Sequence, residues 1–499
     1  MNKYKLALLL IIPLLCCTSC EEWLKVDSED RIMEDALYSN ENGFRTALNG
    51  IYIDLLNSSL YGQTLTTTTF DVLAQYYDTS KPLNTHAYVL LANYDHQKMK
   101  DAVSDTWAKG YALIGNINTL LEHCEKNRNV LSDKGYHIIK GEALALRAML
   151  HFDLLRIFGP IYKYEPGKEC IPYVNDTERK VKPLLPASDV IFNITTDLKA
   201  AEELLADYDP VITEGKLATE DASGNNFYRF RNERMNYFAV LALTARVYLY
   251  AGDTGNAVNY ANDVIDRASR FFPFATREQV NGQATSGSAN TSAEDRIFSS
   301  EILFGNYHSK RTTDIFDKTF SYKLEAKNVL KMSDYGISQL YEDDGDLRKC
   351  QWQTQRDTEG NVGQFFVKYG DVTDNGFEFA KLLPMIRMSE MYLIKAECTK
   401  DYKALNPIRK AIVQKTAASS VMLTVCLSCG LYVSHVFIPP TPGPIAAAGS
   451  LGLENDLLLV MGLGVVCSIL PLIAGIVFAR FIGKRVKAED EADASGNVV

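Results

Sequence analysis

Two long uncharged apolar runs near the end of the chain constrain its fold more than any other feature. One extends from Ala417 to Ile438 and the other from Leu457 to Ala479. Each holds about 22 residues, enough for a helix to cross the hydrocarbon layer of a membrane. The stretch HVFIPPTPGPIAAAG between them carries four prolines, each of which removes a backbone hydrogen-bond donor. The sequence therefore predicts two transmembrane helices with a proline-rich break.

The break indicates more than a loop, because irregular backbone at membrane depth must be buried in protein or line an aqueous cavity. The segment GLYVSHVFIPPTPGPIAAAG is similar to the gluconate permease family of proton symporters. That resemblance covers only the end of the chain, about residues 412–499. It implies that His435, Thr441 and Gly443 lie near an anionic substrate. A structural turn between two spans is the alternative interpretation.

The other end of the chain is typical of an exported protein. Lys3 and Lys5 precede an apolar run, Leu6 to Leu15, that is too short to span a bilayer comfortably. Small residues and Cys20 follow, and this order resembles a bacterial lipoprotein signal. We therefore expect residues 1–19 to be removed and the Cys20 thiol to carry the lipid anchor. An ordinary cleaved signal peptide with a chance cysteine is the alternative.

Helical periodicity dominates the long middle part of the chain. In ERMNYFAVLALTARVYLYAGD, alanines recur at three-residue steps and Gly252 supplies a helix stop. The next segment, TGNAVNYANDVID, has amphipathic spacing, so the two predict a tetratricopeptide-like helical hairpin. GEALALRAMLHFDLLRIFGPIY is apolar on two faces and predicts a helix packed between neighbours. Two more helices are predicted in SDTWAKGYALIGNINTLLEHC and LPASDVIFNITTDLKAAEELL, the second with Ser188 as its N-cap.

Five segments, in this order along the chain, resemble the RagB/SusD family: EEWLKVDSEDRIMEDALYSNENGFRTALNGIY, GEALALRAMLHFDLLRIFGPIY, ALTARVYLYAGD, YEDDGDLRK and LPMIRMSEMYLIKAE. The resemblance extends from Cys20 to about Ala411. It implies a mainly α, tetratricopeptide-like frame with loop insertions. It also implies a surface lipoprotein that captures glycan and works with a SusC-like, TonB-dependent transporter. The family usually continues beyond this point, so we expect a frame that is incomplete at its C-terminal end.

Composition and motifs exclude several other functions. The net charge is -10, and no basic stripe is present to neutralise nucleic-acid phosphates. The 7 histidines are scattered, and His151 lies on a helix predicted to be packed, so we interpret it as a core residue. The sequence has no metal-ligand spacing, P-loop or nucleophile elbow. We therefore predict a protein that is not an enzyme and needs no cofactor or metal.

Sugar binding needs aromatic rings for the pyranose faces, together with carboxylates and amides for the hydroxyl groups. Two loop-like stretches, FDVLAQYYDTSKP and ANYDHQK, offer this mixture. The predicted glycan-binding residues are Asp71, Tyr76, Tyr77, Asp78, Tyr94, Asp95 and Trp352. The alternative is that these are ordinary surface or core residues. Four cysteines in the exported part, Cys124, Cys170, Cys350 and Cys398, allow three disulfide pairings that the sequence does not distinguish.

The two ends of the chain predict different destinations. Basic residues precede the first apolar run and follow the second, and both groups favour the cytoplasm. The lipoprotein signal, by contrast, sends the part of the chain before these runs across the inner membrane. We therefore predict three segments: a signal over 1–19, a glycan-binding domain over 20–411, and a permease-like fragment over 412–499. The predicted location is the outer membrane, where the protein is held by its lipid anchor, and the alternative is the inner membrane, reached through the C-terminal spans. The alternative function is a membrane component of a gluconate or sugar-acid symporter.

Overall fold

The computed structural model describes residues 29–78, 84–282, 294–341, 345–372 and 378–412, together with Leu459, Ile473, Ala474, Val477, Phe478 and Phe481. The chain divides into two compact units. The first contains Met1–Glu342 and Arg348–Leu405, and the second contains Asp343–Leu347 and Asn406–Val499. The predicted lipidation residue Cys20 and the permease-like residues His435, Thr441 and Gly443 lie outside the described residues.

The first unit is mainly helical. Its α-helices are α1 Glu29–Leu37, α2 Glu41–Leu55, α3 Thr69–Leu73, α4 Ala87–Leu90, α5 Gln97–Lys126, α6 Asp133–Phe158, α7 Ala187–Leu205, α8 Val211–Glu214, α9 Tyr237–Ala251, α10 Thr254–Ala268, α11 Arg277–Asn281, α12 Asp334–Leu340 and α13 Met388–Thr399. A π-helix spans Thr312–Phe320, and short 3₁₀ turns connect several elements. The predicted mainly α architecture is confirmed for this unit.

Local capping explains where the long helices begin and end. The Asn236 side chain accepts a hydrogen bond from the backbone N–H of Ala239 and starts α9. Gly252 follows α9 in the left-handed conformation, at φ +80°, which favours glycine. Asp253 then caps α10 by accepting from the Asn256 N–H. The predicted hairpin of two helices with Gly252 at the turn is confirmed.

One predicted cap is wrong. Helix α7 begins at Ala187, so Ser188 lies inside its first turn, where its hydroxyl contacts Asp189 instead of a backbone N–H. Pro186 occupies the N-cap position and offers no side-chain hydrogen bond. The helix begins at Ala187 because the Leu185–Pro186 strand leads directly into it. The preference of serine for N-cap positions does not reveal this start.

Helix α6 is the centre of the larger of two hydrophobic cores. Seventeen of its side chains or glycines are buried, so it is surrounded by neighbours, as predicted from its two apolar faces. It packs on α5, α7 and α2. His151 on α6 is fully buried: its Nδ1 contacts the Arg147 carbonyl and its Nε2 accepts from the Val174 N–H. Burial lowers the pKa of His151 to about 3, and the interpretation as a satisfied core histidine is confirmed.

The first unit also has three two-stranded antiparallel sheets. A smaller second core includes residues of two of them, whereas the remaining sheet packs Ile171 in the first core. The strands pair as β1 Glu169–Ile171 with β2 Leu185–Pro186, β3 Ile302–Tyr307 with β6 Leu382–Arg387, and β4 Trp352–Arg356 with β5 Val362–Phe366. The β3–β6 pair joins the two cores. Ile302 and Leu382 pack in the second core, whereas Phe304 and Ile386 pack in the first. The four cysteines that the sequence left open, at 124, 170, 350 and 398, are free thiols.

A buried cluster of charges fixes the first unit internally. The Arg231 side chain is inaccessible to solvent and lies between the carboxylates of Asp209 and Glu142. Its Nε and Nη2 each donate to Asp209 at 2.9 Å, and its Nη1 lies 2.8 Å from Glu142 Oε1. Tyr52 donates to Glu142 at 2.7 Å and accepts from the Met235 N–H. One arginine and its partners thereby connect helices α2 and α6 with the segments before α8 and α9.

The described part of the second unit is short. A helix, α14, spans Asn406–Ile412 and has Pro407 in its first turn, where a proline is tolerated because its missing N–H has no partner within the helix. Among the positions that the structure describes, no helix combines the length and the apolar character needed to cross a bilayer. Most residues of the two predicted spans lie outside the described positions, and those spans stay predictions.

The Arg231 cluster generates a stability prediction. In Arg231→Met, two buried carboxylates lose their counter-charge, and we expect the free energy of unfolding to fall by about 3 to 5 kcal/mol. Urea unfolding followed by tryptophan fluorescence measures this loss, because all 3 tryptophans precede residue 404. Lys318→Met is the matched control: it removes an exposed ion pair with Asp314 and should cost less than about 1 kcal/mol. Equal losses in the two variants would contradict the role given to Arg231.

Candidate saccharide site

A cavity of about 220 Å³ opens where three segments of the first unit meet. The segments are the chain after Tyr77, the stretch between the π-helix and α12, and the β4–β5 hairpin. The residues that line the cavity are Asp78, Asn84, Ala326, Val329, Lys331, Met332, Ser333, Asp357 and Phe365. Polar and charged groups thus come from all three segments, and we call this space the strap cavity.

Backbone hydrogen bonds hold two of these segments side by side. The Asp78 N–H donates to the Lys331 carbonyl at 2.8 Å, and the Thr85 N–H donates to the Lys327 carbonyl at 2.9 Å. Below them, Leu330 and Val329 are buried and Leu330 packs in the second core. The position of the cavity therefore depends on main-chain pairing above a hydrophobic base, which makes it a fixed feature of the fold.

The polar lining groups are partly occupied and partly available. Asn84 Oδ1 accepts from the His86 N–H at 2.8 Å, and no other described residue accepts from its Nδ2. The Asp357 carboxylate accepts from the backbone N–H groups of Glu359 and Asn361. The Lys331 Nζ lies 4.8 Å from the centre of the Phe365 ring. An amide donor, two carboxylates and an ammonium group in one small space suit a ligand with many hydroxyl groups.

Three consecutive residues of the predicted site have three different environments. Gln75 adopts φ +63°, a left-handed conformation that is unusual for a residue other than glycine, and turns the chain after α3. Tyr76 is 57% exposed, Tyr77 is 8% exposed and packs against Phe320, and Asp78 lines the strap cavity. Of the three, Tyr76 offers an exposed ring and Asp78 places its carboxylate in the wall of the cavity.

Asp71 is an internal partner of Tyr77. The Tyr77 hydroxyl donates to Asp71 Oδ2 at 3.2 Å. Burial raises the pKa of Asp71 to about 6, against the lowering effects of the Tyr77 hydrogen bond and the Lys368 charge. The same surroundings lower the pKa of Lys368 to about 7, chiefly through burial. Asp71 and Tyr77 therefore support the loop from inside the protein, and neither residue lines the cavity.

The remaining predicted residues lie elsewhere. Tyr94 is 61% exposed, and Asp95 pairs with Lys100 across 3.5 Å; neither lines the strap cavity. Trp352 begins β4 and is buried against Phe366, with ring centres 4.9 Å apart. Its ring is therefore a core group and leaves little surface for stacking on a sugar. Sequence composition alone does not separate such a tryptophan from an exposed one.

Most polar lining residues were missed by the sequence-based prediction. Asn84, Lys331, Ser333 and Asp357 come from segments without aromatic clusters, and only the paired backbone brings them to Asp78. One signal was present for Asp357: the stretch DTEGN is a turn sequence between two short strands, and such turns expose carboxylates. The other three had no local signature.

Comparison with known proteins finds that the two parts of the chain are similar to different families. Residues 22–249 match the model of the SusD-like family described as "Starch-binding associating with outer membrane". Residues 404–498 match the GntP family permease model. Both resemblances noted in the sequence are thereby confirmed.

Individual proteins agree with this division. A SusD-like protein from Formosa agariphila is 27% identical over 211 residues, which are 40% of this chain and 38% of that protein. An uncharacterized permease from Haemophilus influenzae is 33% identical over 81 residues, 16% of each chain. The chain therefore spans well under half the length of these curated relatives. A SusD superfamily protein from Bacteroides thetaiotaomicron has the same fold, with a TM-score of 0.55, 20% identity, and coverage of 76% of this chain and 81% of that one.

The raised pKa of Asp71 generates a pH prediction. Between about pH 4 and pH 6 the folded protein keeps a proton on Asp71 that the unfolded chain releases. Stability from this group is therefore lost as the pH rises through that window. The asparagine side chain in Asp71→Asn is neutral at every pH. The melting temperature of this variant minus that of the unmodified protein should therefore be higher at pH 7.5 than at pH 4.5.

The control for this prediction is Asp95→Asn, since the Asp95 side chain is fully exposed. Melting curves of the three proteins at both pH values give the comparison. For Asp95→Asn the difference from the unmodified protein should be the same at the two pH values. An Asp71→Asn difference that is equally independent of pH would show that burial does not hold the proton on Asp71.

Proposed function

We propose that the first unit is a saccharide-binding surface lipoprotein, which holds an oligosaccharide at the strap cavity and delivers it to a SusC-like, TonB-dependent transporter. The observation that carries this proposal is the meeting of Asp78, Asn84, Lys331 and Asp357 in one open cavity on a SusD-like helical frame. The family whose model matches residues 22–249 is described as starch-binding. Binding and handover, without chemical conversion, are the proposed activity.

The chemistry of the cavity suits a saccharide. Carboxylates accept from sugar hydroxyl groups and bind them more strongly than neutral acceptors do. The Asn84 amide donates to a hydroxyl or ring oxygen, and the Lys331 ammonium group donates from the opposite segment. The exposed Tyr76 ring, two residues before Asp78, supplies an apolar face for a pyranose. We keep Tyr76 and Asp78 in the proposed site, with Tyr94 and Asp95 as outlying contacts, and leave Trp352 out.

Outer-membrane location and lipid anchoring at Cys20 complete the proposal. They rest on the signal-like N-terminus and on the family description, which includes association with the outer membrane. An anchor at the N-terminus would keep the frame at the membrane surface, where a transporter can receive its ligand. The start of the permease match at residue 404 supports placing the boundary between the glycan-binding domain and the permease-like fragment near residue 411.

A second function, as a membrane component of a sugar-acid symporter, is favoured only by the match at 404–498. That match covers 16% of the Haemophilus permease. Two spans do not enclose a transport path by themselves, so transport would require other chains. We therefore treat the permease-like part as an appended segment of separate origin and assign binding to the first unit.

The binding proposal is tested with calorimetry on the full chain, using maltoheptaose and a panel of neutral oligosaccharides. Asp78→Asn replaces a charged acceptor of the cavity with a neutral amide, and Asn84→Ala removes an amide donor. Each variant should bind the saccharide about tenfold more weakly, which corresponds to roughly 1.4 kcal/mol. Lys126→Gln changes an exposed lysine on α5 that does not line the cavity and should bind normally.

Two results would contradict the proposal. One is a folded protein that binds no member of the panel. The other is undiminished binding by both cavity variants, which would place the saccharide elsewhere. Tryptophan fluorescence melts of each variant confirm that lost binding does not come from lost folding.

A further inference from the structure

A second cavity, of about 570 Å³, lies between helix α2 and the loop that precedes α9. Three arginines line it, Arg45 from α2 and Arg229 and Arg234 from the loop. Asparagine side chains, among them Asn49 and Asn225, form its rim. We call this space the arginine cavity. No residue lining it belongs to the strap cavity.

The loop that forms one wall is rigidly held. Phe230 adopts φ +48° and Leu217 adopts φ +54°, both in the left-handed region that is strained for a residue with a side chain. The Phe230 N–H donates to the Leu217 carbonyl, so the two strained residues face each other. The next residue is the buried Arg231, whose ion pairs prevent the strain from relaxing. Strained backbone maintained by a buried anchor is characteristic of ligand-binding loops.

The arginines are positioned by aromatic and amide contacts. The buried Phe227 ring lies between two guanidinium groups, 4.8 Å from Arg45 Cζ and 4.7 Å from Arg234 Cζ. Arg45 Nη1 donates to Asn225 Oδ1, and Arg234 Nη2 donates to Asn49 Oδ1. Cation–π contacts of both arginines with one ring fix the spacing of the charges before any ligand arrives.

Several guanidinium N–H groups remain without an acceptor. Arg45 Nε is buried and has no hydrogen-bond partner in the described part of the chain. Arg229 donates its Nε and Nη2 to the carbonyl and hydroxyl of Thr219, which carry no charge, and no described residue accepts from its Nη1. A buried donor without an acceptor is costly, and an anion in the cavity would satisfy it.

The surrounding acidic groups define what kind of anion fits. Arg45 is paired with Glu41, Arg234 lies 3.6 Å from Glu142, and Glu233 also lines the cavity. The cavity therefore does not present a strong positive field. Arg229 has no carboxylate among its hydrogen-bond acceptors, although its charge interacts with the nearby Asp221 carboxylate. A ligand with single, spaced carboxylates and many hydroxyl groups matches an arginine that has uncharged acceptors and amides around it. A densely charged polyanion does not.

We propose that the arginine cavity binds an acidic oligosaccharide, such as one built of uronic acid units. A sugar carboxylate is bound by Arg229 and by the Nε of Arg45. The rim amides of Asn49 and Asn225 contact the hydroxyl groups of neighbouring units. The proposal goes beyond the proposed function, since it assigns a second saccharide class to a separate cavity and does not require the strap cavity to be occupied.

The test uses tetragalacturonate as the probe and the full chain in calorimetry. The unmodified protein should bind it, and binding should weaken as salt increases from about 50 to about 300 mM, because the contact is charge-assisted. Arg229→Gln should bind about tenfold more weakly or worse. Arg229→Lys, which keeps the charge but loses the planar fork, should be intermediate. Arg270→Gln removes an exposed arginine outside the cavity and should bind normally.

Other outcomes overturn the proposal. These are no binding of tetragalacturonate by the folded protein, equal binding by Arg229→Gln, or binding of an oligoglutamate peptide in place of the sugar, which would indicate an acidic protein partner. Asp78→Asn separates the two cavities. If it loses maltoheptaose but keeps tetragalacturonate, the sites are independent. If it loses both, the acidic sugar binds at the strap cavity and the arginine cavity is not its site.

Discussion

The fold of the first unit depends on the buried Arg231 and its two carboxylates. A guanidinium group removed from water is tolerated only when opposite charges and hydrogen bonds replace its hydration. Asp209 and Glu142 provide both, and Glu142 is in turn bound by Tyr52. Because these residues come from helices α2 and α6 and from the connections between later helices, the cluster determines how distant segments meet. A purely apolar core would pack the same helices with less control over their register.

The two cavities both depend on this arrangement, one directly and the other through the second core. The arginine cavity lies directly beside the cluster, and its loop is anchored by Arg231 itself. The strap cavity lies on the second core, which β3 and β6 join to the first, and its walls are held by backbone pairing between the Asp78 and Lys331 segments. In both places a rigid base presents a few polar groups to solvent. That combination suits binding without large movement of the protein.

The helical part of this structure could be predicted from sequence because each long helix carries its own periodicity and stop signal, as at Gly252 and Gly159. The site could be predicted only in part. Tyr76 and Asp78 belong to a recognisable aromatic and acidic stretch, but alternation of environment along the chain buries Tyr77 between them. Asn84, Lys331 and Asp357 reach the cavity through long-range pairing, and Trp352 is buried by its strand partner. Such contacts depend on tertiary structure, which local patterns do not encode.

Hydrogen exchange on the full chain, with and without the tightest-binding oligosaccharide of the neutral panel, tests the central claim most directly. The claim is that saccharide is held where three segments meet above the second core. Bound ligand should slow exchange at backbone amides in 84–90, 326–333 and 357–365, while α6 should be unchanged because its amides are already protected by burial. Slowed exchange confined to other segments, or no change at saturating ligand, would contradict the assignment of the strap cavity as the binding site.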